Sequence, residues 1–148
     1  MRRRGVRWIA ASALCPLLGL CTAGCGDLSR EELTRGVESL SALAAQGELI
    51  ANGGARDATK ATYTRVMAKT LGGEAEHEAE KLADAEPEPA VRDERNRAVA
   101  IAGEIAGLFT ELQTFPGDER HGELVEVHLE EAKDQASVLA ERLSGEQQ

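Results

Sequence analysis

From residue 29 onward the apolar positions advance in steps of four and three. Leu33, Val37, Leu40, Ala44 and Gly47 follow one another in this way, which keeps them on one side of an α-helix. The rhythm returns in Val91, Ala98, Ala102, Ile105, Phe109 and Leu112, and again in Leu124, His128, Ala132, Leu139 and Leu143. A less regular set is Tyr63, Met67, Leu71, Ala75 and Leu82. Strand signals are almost absent. Four stripes that must each be covered predict four helices meeting in one core.

Chain punctuation sets the limits of these helices. Ser29 with Glu32 three residues on has the pattern of a capping box, and Asn52-Gly53-Gly54 supplies residue types that end a helix. The second helix is expected from about Asp57 to Ala85, with a kink or break at Gly72-Gly73. The third opens with Pro89 in its first turn and stops before Pro116, because proline lacks the backbone donor and clashes with the preceding turn. Asp118 caps the fourth, which ends near Ser144-Gly145 and leaves Glu146-Gln147-Gln148 to fray. Similar lengths and short connections favour antiparallel neighbours. The expected fold is all-α, an antiparallel four-helix bundle over residues 29–148. Its core is poor in large side chains, so its stability is expected to be modest.

Residues 1–24 follow a different order. Arg2, Arg3, Arg4 and Arg7 precede an uncharged, mostly apolar stretch from Trp8 to Gly24, the layout of a signal peptide. The stretch is shorter than the ~20 apolar residues of a spanning helix and is broken by Pro16 and Gly19. It ends in Thr22-Ala23-Gly24-Cys25. These residues resemble the lipobox of bacterial lipoproteins, although Thr22 stands where leucine is commonest. The resemblance covers the first 25 residues alone. It implies cleavage before Cys25, a diacylglycerol on the Cys25 thiol and a tether of residues 25–28 ahead of the bundle. It also implies an extracytoplasmic location on the cell membrane, or on the outer membrane of a diderm cell, where Gly26 rather than aspartate follows the cysteine. An ordinary secretory signal, with Cys25 left as a thiol, is the alternative.

Cleavage would remove four of the 17 basic residues and none of the 26 acidic ones, taking the formal charge from −9 to −13. Such a surface repels nucleic-acid phosphates and anionic headgroups, so nucleic acid is not an expected partner and the lipid must supply the anchoring. Cys15 and Cys21 lie in the segment to be removed. The mature chain then has no internal disulfide and no catalytic cysteine.

Candidate chemistry is sparse. Glu74 and His77 form an E-x-x-H that resembles the motif of ferritin-like di-metal four-helix proteins, and a second such motif is missing because Val125 stands three residues before His128. His128 interrupts an apolar stripe and is expected inward with Glu131, where Glu38 and Glu104 could add carboxylates. Glu74, His77, His128 and Glu131 are therefore weak metal candidates, against the simpler reading of His128 as a hydrogen-bonded core residue. His121 is expected as a solvated first-turn residue, and Arg95 as the partner of a carboxylate on a neighbouring helix. No nucleophile elbow, phosphate-cradling loop or catalytic constellation is found. The expectation is a non-enzymatic binding or envelope-structural module without a cofactor, held at the membrane through lipid and meeting a protein partner in the envelope. The alternative is a metal-binding protein of the ferritin-like kind with a core site.

Overall fold

The computed structural model describes residues 27–145. Four α-helices account for most of them: α1 (Arg30–Ala55), α2 (Ala61–Asp84), α3 (Arg92–Thr114) and α4 (Glu119–Gly145), with a 3-10 turn at Pro89–Val91 leading into α3. Each helix packs on its neighbours in sequence, and α1 closes the ring against α4. Contacts that pair early residues of one helix with late residues of the next make these neighbours antiparallel. Ser41, Glu48 and Asn52 of α1 meet Ser137, Lys133 and Glu126 of α4. Gly36 faces Glu78 and Leu82 of α2, whereas Gly54 faces Thr64. The fold is the expected antiparallel four-helix bundle. Of its two diagonals, α1–α3 is closed by contacts and α2–α4 is the longer.

A heptad seam on each helix explains the packing. Leu33, Val37, Leu40, Ala44, Ala51 and Gly54 of α1 are buried with Gly47, as are Ala98, Ala102, Ile105, Phe109 and Leu112 of α3. Side chains repeating every three to four residues insert as knobs into holes on the facing helix. Phe109, the buried aromatic, fills such holes on two partners. A Cβ on Gly47 would lie 2.9 Å from its ring, and one on Gly72 would lie 3.2 Å from its Cβ. Gly72 therefore admits the neighbouring helix, and α2 runs through Gly72-Gly73 without the expected break.

Two of the expected faces are shifted in their first turns only: Ala132, Leu139 and Leu143 of α4 and Leu71, Ala75 and Leu82 of α2 are buried as expected. On α4 the buried positions are Val125, Leu129, Ala132, Ala136, Leu139 and Leu143, while Leu124 is 52% exposed. On α2 they include Thr64, Ala68, Leu71, Ala75 and Leu82, while Tyr63 is 51% exposed and Met67 only partly buried. In both cases the adjacent residues, Val125 and Leu129 on α4 and Thr64 and Ala68 on α2, continue the four-three seam of the later turns back to the start of the helix.

The helix ends combine expected and unexpected devices. Ser29 and Glu32 form the capping box, with the Glu32 N–H donating to Ser29 Oγ and the Ser29 N–H to Glu32 Oε2. These bonds hold the Glu32 carboxyl below its ordinary pKa, the Ser29 backbone N–H contributing most. The α1 helix passes Asn52-Gly53 and ends at Ala55, two residues later. The Ala58 N–H reaches Gly53 O at 2.9 Å and the Asp57 N–H reaches Gly54 O at 3.2 Å, a Schellman closure in which Asp57 takes φ +53°. Asn52 instead donates its side-chain amide to Glu126. The α2 helix starts at Ala61 rather than near Asp57, with no side-chain cap at Lys60.

The folded unit also begins one residue ahead of its expected boundary. Leu28 is buried and bridges to Pro87 in the connection after α2. Its N–H donates to Glu86 O at 2.6 Å, and its carbonyl accepts from the Glu88 N–H at 3.3 Å. Of residues 25–28, expected as a tether, the structure describes Asp27 and Leu28, and Leu28 belongs to the folded unit.

Candidate functional site

The four metal candidates lie on two helices, α2 and α4, that sit across the longer diagonal. Glu74 and His77 are exposed on α2. His128 is on the outer side of α4, its side chain 43% exposed, with Nδ1 3.2 Å from Glu131 Oε2. That contact is a local i,i+3 pair. The expectation that His128 points inward is corrected: Leu129, one residue on, takes the core position because the seam through Val125 and Leu129 is unbroken. Glu38 and Glu104 are exposed as well. Among the described residues no group of three or more His, Cys, Asp and Glu side chains converges as a metal site would require.

Other singled-out residues have structural placements. Asp118 caps α4 as expected, with the His121 N–H donating to Oδ1 at 2.9 Å and the His121 ring Nδ1 2.8 Å from the same oxygen. The His121 N–H, and after it the ring contact, holds the Asp118 carboxyl below its ordinary pKa. The imidazole stacks on Phe115 with centroids 4.2 Å apart, so the α3–α4 connection is pinned by a ring pair as well as a cap. Ser41 and Ser137 share a hydrogen bond across the α1–α4 interface at 3.1 Å. Beside it Lys133 Nζ lies 2.7 Å from Glu48 Oε1, a contact that raises the lysine pKa. Arg95 is half-buried, its Nε enclosed without a hydrogen-bond partner, and among the described residues no ion pair joins it to the carboxylate expected on a neighbouring helix.

Sequence reasoning passed over one surface feature. Between α3 and α4 a groove of about 390 Å³ is lined by the apolar Ile101, Val138 and Leu139, with Arg97 and Arg142 toward one end of the bundle and Asp134 and Gln135 further along α4. Its signal was the mirrored spacing of Arg97 with Ile101 and Val138 with Arg142, each four apart on antiparallel helices. The volume is at the small end of those that hold ligands.

Cys25 and the segment 1–24 lie outside the described residues. No helix among the described residues is long and apolar enough to cross a membrane. Comparison with protein-family models, curated proteins and solved structures finds no match to this chain.

Proposed function

We propose that the protein is a lipid-anchored, extracytoplasmic, non-enzymatic module that serves the cell envelope through a protein partner. The observation that carries this reading is Thr22-Ala23-Gly24-Cys25 at the end of an arginine-led, acid-free apolar stretch. The thiol of Cys25 is the attachment point. A diacylated cysteine holds through ~0.8 kcal/mol per buried methylene, enough to retain a chain whose negative charge opposes binding to headgroups. The binding role draws support from exposed apolar side chains on the bundle surface, among them Leu49, Val66 and Val138, and from the apolar lining of the α3–α4 groove.

The test is direct. Membrane-extracted protein should show by intact mass a chain that begins at acylated Cys25, and Cys25→Ser should yield an unprocessed precursor or a released form. Unchanged processing and membrane retention in Cys25→Ser would overturn the anchor. Crosslinking in the native membrane should capture a specific envelope protein with the wild-type chain.

A further inference from the structure

The bridge at Leu28 fixes where the chain leaves the bundle. Its two hydrogen bonds to Glu86 and Glu88 hold it to the end formed by the start of α1, the α2–α3 connection and the close of α4. The opposite end carries the α1–α2 and α3–α4 connections. Cys25 and Leu28 are three Cα steps apart, which can span at most ~11 Å. Helices of 23–27 residues rise ~35–40 Å from one end of the bundle to the other.

Resting on the lipid-anchored reading of Cys25, we propose that the bundle stands end-on at the bilayer, with the α2–α3 end held beside the headgroups and the opposite end directed outward. The tether alone leaves the tilt free. Charge decides it, because acidic residues are spread along the exposed sides of all four helices, including Glu38, Glu76, Glu104 and Glu130. Laying a flank on an anionic surface brings a long row of carboxylates within the ~8 Å over which surface charge acts at physiological salt. Standing upright brings only those of one end, such as Asp84, Glu86 and Asp93. The tether is long enough to let that end hover about one screening length away and too short to let it turn outward.

The mature chain from Cys25 to Gln148, which contains every described residue and a single cysteine, can be coupled through that thiol to a maleimide lipid in a supported bilayer and measured by neutron reflectometry. On a bilayer containing phosphatidylglycerol at physiological salt the expected protein layer is ~35–40 Å thick. On pure phosphatidylcholine it should become thinner and broader. Inserting a flexible segment of about twelve Gly and Ser residues between Asp27 and Leu28 should widen the gap to the bilayer and blur the layer. A layer of ~20–25 Å on the anionic bilayer, the width of a bundle lying flat, would overturn the proposal, as would identical profiles for the short and lengthened tethers. Failure of the anchor reading would appear elsewhere, as an unacylated Cys25 in membrane-extracted protein, while the coupled layer still decides the posture.

Discussion

Asp57 carries a left-handed backbone at φ +53° in the closure that ends α1. Glycine adopts that conformation without the strain a Cβ brings, whereas aspartate merely tolerates it. Asp57→Gly should therefore raise stability by up to about 1 kcal/mol, read from the midpoint of urea unfolding at unchanged slope. Two other positions respond in opposite directions to the same change. A Cβ on Gly47 would lie 2.8 Å from Leu129 Cδ1 and 2.9 Å from the Phe109 ring, while one on Gly73 meets nothing within 4 Å. Gly47→Ala should cost about 1–2 kcal/mol through overpacking, and Gly73→Ala should gain up to ~1 kcal/mol of helix propensity. Stabilisation by Gly47→Ala would show that α1 can back away from Phe109. The sequence displays all these glycines alike; which of them faces a neighbour depends on the tertiary approach of helices that lie far apart along the chain.

At the scale of the element, the α1 and α3 faces were legible because further large apolar residues, Leu43 and Ile50 of α1 and Ile101 and Leu108 of α3, are buried too and widen the four-three face instead of competing with it. The α4 face was ambiguous because Leu124 stands beside Val125 and His128 beside Leu129, and the larger leucine at the start favoured the wrong register. In the first turns of α2 the inward residues are the small Thr64 and Ala68 and the outward ones Tyr63 and Val66, so hydrophobic size pointed away from the core there, whereas Leu71 and Leu82 further on are inward. Local signals fared better: the caps at Ser29 and Asp118 need only residues within one turn. Both caps involve a carboxylate whose pKa is lowered in the fold. For such groups the unfolded chain takes up the proton first as pH falls. Their contribution is complete above the ordinary carboxylate range and is lost as pH drops through the folded values. Thermal unfolding should thus show a falling melting temperature below about pH 4, and the loss should shrink in Glu32→Gln and Asp118→Asn, which start less stable at neutral pH. Equal acid sensitivity in wild type and variants would place the titrating groups elsewhere.

At the scale of the whole molecule, the order of helices around the ring and the bridge from Leu28 to Pro87 were not legible, since both join residues with no local relation. The candidate site shows the same limit from the other side. E-x-x-H at Glu74 and His77 and the pair His128 and Glu131 are each local patterns, and a core metal site needs their helices to converge. The helices α2 and α4 instead lie across the longer diagonal, with the side chains of both pairs turned to the outer surface. Exposed carboxylates and imidazoles without a closed ligand set bind divalent ions weakly and without fixed ratio. Protein dialysed against a chelator and then exposed to zinc or manganese should retain no stoichiometric metal by elemental analysis, and its melting temperature should be unchanged by the ion. His77→Ala and His128→Ala should leave both measurements as they were. Metal retained at a fixed ratio through chelation, and lost in each of the two variants, would require α2 and α4 to meet in another arrangement of the bundle.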